Sequence, residues 1–173
     1  MPERPFQEPQ PGLSIIYARS QNNCIGNDGG LPWSLPDEYA HFEQTTAGYP
    51  ILMGRRSYED HDGAIDGRLN IVLSRNRKLK VPADILLAEN LPIGIQLAIE
   101  KNLSYFVIGG SELIMEALPK AKTVFETVVH TDIDGDTFLP ALDFSDWSSK
   151  VLSHHLVDSR HGYAYTIYRH RRP

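Results

Sequence analysis

The chain has 173 residues, is 41% hydrophobic and 23% charged, and carries a formal net charge of −5. A chain of this length buries roughly 70% of the surface it exposes when unfolded, so one domain with a sizeable core is expected rather than disorder. The acidic balance argues against a nucleic-acid partner, since phosphate-tracking domains carry a basic surplus, but it leaves room for a local basic pocket. Cys24 is the only cysteine, which excludes an intrachain disulfide and a cysteine-based zinc site and fits a reducing cytoplasm. His154 and His155 are adjacent. On a strand they would face opposite ways, so no metal site is expected. No run approaches the ~20 apolar residues of a membrane span, and the N-terminus lacks an apolar signal region.

Residues 1–12 hold four of the twelve prolines and no apolar periodicity, which predicts a flexible tail ahead of a single domain over 13–173. Leu13–Ala18 reads as a buried strand, followed by the Gly-rich loop Asn23–Gly30 and the segment Leu31-Pro-Trp-Ser-Leu-Pro36. Asp37 is placed to cap a helix running to about Thr46. Strands are predicted at Ile51–Met53 and Asn70–Ser74, with a helical turn at 55–61 between them. Ile85–Ala88 reads as a strand and Ile93 to about Lys101 as a helix. Tyr105–Ile108 is a strand running into Gly109-Gly110 and a helix from Ser111 to Leu118, stopped by Pro119. Strands at Thr123–Val129, Ser148–His155 and Tyr163–Tyr168 complete the chain, the last two joined by a turn near Ser159–Gly162. Alternating strands and helices predict an α/β domain with a mostly parallel sheet and an antiparallel edge.

Three turns carry anion-binding chemistry. Gly109-Gly110 before Ser111-Glu112 lets backbone approach a ligand at a helix start, although such glycines also serve geometry alone. Met53-Gly-Arg-Arg-Ser57 and Ser74-Arg75 each place Arg and a hydroxyl after a buried strand, the edge where parallel sheets bind ligands. Together they suit a long cofactor with an extra phosphate, as NADPH has; singly, each arginine reads equally as a solvated surface group. On the first helix, Glu38 and Phe42 lie one turn apart, with Tyr39 and Thr46 on the adjacent stripe. A carboxylate there could recognise an amidine-like ring edge, or could simply complement the helix dipole.

Read in order, Ile25-Gly26, Leu31-Pro-Trp-Ser-Leu-Pro-Asp-Glu38, Pro50-Ile-Leu-Met-Gly-Arg55, Gly67-Arg-Leu-Asn-Ile-Val-Leu-Ser-Arg75, Val107-Ile-Gly-Gly110, Thr127 and Asp134-Gly-Asp-Thr137 resemble dihydrofolate reductase, from Leu13 to about Arg171. The resemblance implies a single α/β domain with a mixed, mostly parallel eight-stranded sheet, flanking helices and a C-terminal antiparallel hairpin. It implies an oxidoreductase that reduces 7,8-dihydrofolate to tetrahydrofolate with NADPH, serving one-carbon metabolism and thymidylate synthesis. A cytoplasmic monomer that binds antifolates, but neither membrane nor nucleic acid, is expected.

Carried over residue by residue, Glu38 would be the acid that binds the pterin and assists protonation at N5 through water. Leu31 and Trp33 would belong to the loop that closes over the nicotinamide. Thr127 would support the acid, and Ile16, Tyr17 and Ile108 would line the pterin pocket. Tyr39 would intrude on the cleft, Phe42 and Ile65 would flank the aminobenzoyl ring, and Arg68 would clamp the glutamyl α-carboxylate. Ala18, Ile25, Gly26, Gly54, Arg55, Arg56, Ser57, Leu73, Ser74, Arg75, Gly109, Gly110, Ser111, Glu112 and Leu113 match cofactor positions. Of these, Arg55 and Arg75 are expected at the 2′-phosphate. The helix openings at Ser57 and Ser111 are expected at the pyrophosphate.

The pattern departs from the family at Ile114, Tyr58, Asp66 and Glu126, where Tyr, Trp, Pro and an apolar residue are usual. Two other readings remain: an NADPH-dependent reductase of another heterocycle, such as the pyrimidine reductase of flavin synthesis, and a non-catalytic nucleotide- or antifolate-binding protein. The first lacks a use for Arg68, and the second predicts a lost acid where Glu38 is present.

Overall fold

The computed structural model describes residues 10–60 and 64–173. Most of the expected N-terminal tail (1–9), and the end of the turn predicted at 55–61, therefore lie outside the described residues. Gly12, assigned to the tail, already belongs to the first strand, β1 (Gly12–Ser20).

The strands that follow are β2 (Cys24–Gly26), β3 (Ile51–Gly54), β4 (Asn70–Leu73), β5 (Leu86–Ala88), β6 (Ser104–Gly109), β7 (Thr123–Val129), β8 (Thr137–Phe138), β9 (Ser148–His155) and β10 (Tyr165–Arg171). The helices are α1 (Pro36–Thr46), α2 (Arg55–Asp60), α3 (Leu91–Ile99) and α4 (Ser111–Ala117). One eight-stranded sheet runs β5-β4-β3-β6-β1-β7-β10-β9. Every pairing from β5 to β7 is parallel, and β10 pairs antiparallel with both β7 and β9. The sheet is mostly parallel with an antiparallel edge, as expected.

Strand alternation sorts the core into two layers. Leu13, Ile15, Tyr17, Leu52, Ile71 and Val107 pack with α3 and α4 residues, including Leu91, Ala98, Leu113 and Ile114. Ile16, Ile51, Met53, Val72, Phe106 and Phe125 form the layer on which Phe42 of α1 packs. Helices thus cover both faces, which is why the central strands read as unbroken apolar runs rather than alternating ones. Because β1, β3, β4 and β6 run parallel, their carboxyl ends share one edge, where the three Arg- and Gly-bearing turns emerge.

Several boundaries differ from the expectation. The last strand starts at Tyr165 rather than Tyr163 and runs on to Arg171, since its ladder with β7 continues to Thr123. The second long helix begins at Leu91, two residues early, because the Asn90 side chain accepts the Ile93 amide and Pro92 fits the first turn. Pro119 does not end the chain's helical path outright; it sits in a 3-10 turn, Leu118–Lys120, that prolongs α4. The pair β2–β8 departs from the expectation of a loop over 23–30. Three- and two-residue strands carry no periodicity to detect.

Candidate active site

α1 opens with Pro36 at its first position, where a missing N–H costs nothing. Asp37 is therefore inside the helix and does not cap it; the cap position is Leu35, with no side-chain hydrogen bond. In place of a local cap, the Asp37 amide donates to Nε2 of His161, which lies in the turn between β9 and β10, at 3.0 Å. This orientation turns Glu38, His41 and Thr45 inward along one stripe.

Glu38 is 6% exposed. Among the described residues, its carboxyl takes one side-chain hydrogen bond, from Thr127 Oγ1 on β7 at 3.0 Å. Burial raises its pKa to about 7, and the Thr127 bond only partly opposes that shift. Glu38 lines a cleft of about 220 Å³ with Leu31, Trp33, Ser34, Leu35, Pro36 and Tyr39. The Trp33 indole N–H is buried there and has no hydrogen-bond partner among the described residues. Tyr39 stands 39% exposed at the rim, its ring 5.8 Å from that of Phe42. An acid with spare acceptor capacity beside an unpaired donor can take a flat, polar heterocycle edge-on.

The face behind α1 also gathers Ile16, Phe42, Tyr58, Ile65 and Ile108 in one apolar cluster. Asn70 braces the approach to it, accepting the Ile65 amide and donating to the carbonyls of Ile65 and Arg68. Arg68 donates to the Glu43 carbonyl at 3.2 Å, while its Nε is buried without a partner among the described residues.

Tyr17 departs from its expected place. Its side chain belongs to the α3/α4 layer, opposite to Ile16, and its hydroxyl donates to Glu126 at 2.6 Å. The same carboxylate accepts from Arg19 at 3.0 Å and pairs with His170 at 3.1 Å. Burial alone would raise the Glu126 pKa, but the bonds from His170, Tyr17 and Arg19 prevail and lower it. The acid that replaces an apolar residue is thus built into a satisfied polar cluster away from the cleft.

At the sheet edge, Gly109 has φ +142, and a Cβ on it would lie 3.3 Å from Ser57 Oγ; one on Gly110 would lie 3.5 Å away. Gly54 faces the same turn, 3.8 Å from the Gly110 nitrogen by the same measure. Side chains at these positions would fill a cradle of bare backbone, the surface that a pyrophosphate requires. α2 starts at Arg55, so Ser57 is its third residue rather than its opening. The Ser111 hydroxyl is engaged, donating to the Phe138 carbonyl at 3.1 Å. Arg56 and Arg75 are exposed, and Arg55 pairs with Glu59 at 3.0 Å. Ser74 and Asn76 bond within the turn after β4. Leu113 and Ile114 point into the core, Leu73 packs against it, and Glu112 is exposed. Ala18 packs beside Trp33 and Ile25 against the α3/α4 layer.

The sequence reading assigned no role to the residues that hold the Gly-rich loop. Asp136 Oδ2 accepts the Asp28 amide at 2.8 Å, and Leu139 N donates to the Asn23 carbonyl at 2.9 Å. A Cβ on Gly135 would collide with Cys24 Sγ and Gly26 O. The Asp-Gly-Asp-Thr motif was the available signal: an acid and a glycine at fixed spacing suit close approach to another loop.

A family model described as dihydrofolate reductase matches residues 12–172. The dihydrofolate reductase of Haemophilus influenzae is 34% identical over 151 residues, 87% of this chain and 92% of that protein. Dihydrofolate reductase type 3 of Salmonella typhimurium is 34% identical over 152 residues, 88% of this chain and 93% of that one. The fold superposes on the dihydrofolate reductase from Enterococcus faecalis, solved with NADP(H) and RAB-propyl, with a TM-score of 0.86 and 26% identity over 93% of this chain and 96% of that one. A buried acid on the helix after Pro-Trp, a glycine cradle at the edge of a mostly parallel sheet, and relatives that align nearly end to end together make this chain a member of the dihydrofolate reductase family.

Proposed function

We infer that the protein reduces 7,8-dihydrofolate to 5,6,7,8-tetrahydrofolate, consuming one NADPH and one proton and releasing NADP⁺. The observation that carries this reading is the Glu38 carboxyl, buried at the cleft wall, braced by Thr127 and poised near neutrality. A carboxyl with a pKa near 7 is protonated in a substantial fraction of molecules at physiological pH, and can return to carboxylate without a large penalty.

Glu38 holds the amino and ring N–H edge of the pterin, with Thr127 fixing the orientation of the carboxyl. Through water, Glu38 directs the proton that reaches N5. Trp33, Leu31 and Tyr39 close the cleft and keep bulk water from the reacting face. Ile16 and Ile108 line the pterin pocket, and Phe42 and Ile65 flank the aminobenzoyl ring. Arg68, whose buried Nε has no partner among the described residues, clamps the glutamyl α-carboxylate. The cofactor would be held by the edge formed by Ala18, Ile25, Gly26, Gly54–Ser57, Leu73–Arg75 and Gly109–Leu113, where the glycine cradle would take its pyrophosphate and Arg55 and Arg75 its 2′-phosphate. When bound, it supplies the hydride that adds at the pterin C6.

The net charge of −5 and the lone buried thiol suit a cytoplasmic protein without a nucleic-acid partner. Among the described residues, no helix is long and apolar enough to cross a membrane. The test is NADPH oxidation followed by absorbance with and without dihydrofolate, repeated under antifolate titration. Dihydrofolate-dependent, antifolate-sensitive loss of absorbance is expected; none at all would overturn the reading.

A further inference from the structure

Two histidines of the β9–β10 hairpin converge with an aspartate remote in sequence beside the first turn of α1. His155 Nε2 lies 3.3 Å from Asp37 Oδ2, and His161 Nε2 lies 3.7 Å from the same oxygen. One ligand atom from each of the three falls within 4.8 Å of the others. Four ligands at about 2.0–2.1 Å from a tetrahedral ion stand about 3.3–3.4 Å apart, so only small closure is needed.

The ring nitrogens are already sorted. His155 Nδ1 faces the Leu156 carbonyl at 2.7 Å, and a carbonyl only accepts, so Nδ1 carries the proton. His161 Nδ1 donates to Asp158 Oδ1 at 2.8 Å, and its Nε2 accepts the Asp37 amide. Both rings therefore anchor Nδ1–H on an oxygen and turn Nε2 toward one carboxylate, the outer-shell arrangement that orients metal-binding imidazoles. Other groups facing the cluster are Asp158 Oδ2, 3.4 Å from His155 Nε2, Arg160, 3.5 Å from Asp37 Oδ1, and the Tyr165 ring stacked on His155. His161 is buried, while Asp37 stays open to solvent. His161 thus forms the buried inner wall of the site, and Asp37 its solvent-facing side, from which an ion and a fourth ligand would enter.

We propose that Asp37, His155 and His161 form a binding site for a first-row divalent transition metal of the zinc class. Two imidazoles and one carboxylate are the donor set such ions favour over magnesium or calcium. On binding, the ion takes the His161 lone pair that now accepts the Asp37 amide, and it ties α1 to the β9–β10 hairpin. The proposal is independent of the reductase reading.

The test uses tag-free, chelator-stripped protein titrated with Zn²⁺ by calorimetry, with ring ¹⁵N shifts as a second readout. One equivalent per chain is expected, with Nε2 of His155 and His161 shifting on binding. His155→Gln and Asp37→Asn should each weaken binding at least tenfold. At a hundredfold excess over Kd, Zn²⁺ should raise the wild-type Tm by about 5–10 °C. His154→Gln, on the opposite side of β9, should change neither value. Absence of stoichiometric binding at 100 µM Zn²⁺ (on the order of the weakest useful site) would overturn the proposal. So would binding that survives His155→Gln or is lost in His154→Gln.

Discussion

The Glu38 carboxyl sits where solvation is poor, and the same burial that tunes it for proton handling strains the fold. Its pKa of about 7, against 4.5 for a solvated glutamic acid, means that ionising it costs the folded state about 3 kcal/mol relative to the unfolded chain. Glu38→Gln should therefore keep cofactor binding while lowering the hydride-transfer rate at least tenfold, most severely as pH rises. Single-turnover absorbance across pH 5–9 checks this, and near-wild-type turnover at neutral pH would remove the assigned role. Arg68→Ala addresses the other end of the cleft. Loss of a desolvated cation should raise the dihydrofolate KM at least tenfold, equivalent to about 1.4 kcal/mol or more, with the NADPH KM unchanged. Steady-state kinetics with each substrate varied in turn would show the contrast.

At the scale of elements, α3 is held by features that act separately. The Asn90 side chain accepts the Ile93 amide at 3.0 Å and satisfies an orphan donor of the first turn. Asn90→Ala should destabilise the protein by about 1 kcal/mol, read from the urea midpoint. Gly94 marks where α3 meets the sheet, since a Cβ there would lie 3.1 Å from Leu52 Cδ2 and 3.2 Å from Leu73 Cδ1. Gly94→Ala gains helix propensity of about 1 kcal/mol but crowds two core leucines, an effect typically costing about 1–3 kcal/mol. A net loss of Tm is expected, and an unchanged or higher Tm would show that the leucines move aside easily. α1 is built differently: its opening amide is satisfied from a residue 124 positions away, so the helix that carries Glu38 is registered against the hairpin rather than by its own cap.

Over the whole molecule, three buried groups shape stability against pH. His41 is kept neutral by burial, its pKa lowered to about 4. Between that value and 6.5 the unfolded chain binds the extra proton, so His41 makes stability rise with pH. Glu38 does the reverse between 4.5 and about 7, where the folded state holds the proton, so its contribution falls as pH rises. The two slopes, each about 1.4 kcal/mol per pH unit, nearly cancel, and a plateau is expected from about pH 4.5 to 6.5. Below it, Glu126, whose pKa is lowered in the folded state, must be protonated, and stability declines. Glu38→Gln should unmask the His41 slope, so that the variant gains stability with pH across the plateau and exceeds the wild type above pH 7. Urea unfolding at half-unit pH steps would reveal either profile.

The elements and most of the cleft were legible in the residues themselves. Buried strands such as Tyr105–Ile108 announce themselves by continuous apolar runs, and Pro-Trp-Ser-Leu-Pro-Asp-Glu brings together in seven positions a turn, a helix start and an acid. Such signals are local, because strand and helix periodicity and turn chemistry act over a few residues. What only the tertiary structure decided rests on partners far apart along the chain. The pairing of Tyr17 with Glu126, at a separation of 109, turns a residue expected in the pterin pocket onto the opposite face of the sheet. The Thr127 bond to Glu38 spans 89 positions, and burial at that junction, rather than residue type, moves the acid toward neutrality. His154 and His155, as strand neighbours, looked unsuited to a shared ligand; the fold instead sets His155 beside His161 of the hairpin turn and Asp37 of a helix start. Contacts of this kind are fixed by how sheet and helices pack, and packing leaves no short-range trace in the order of residues.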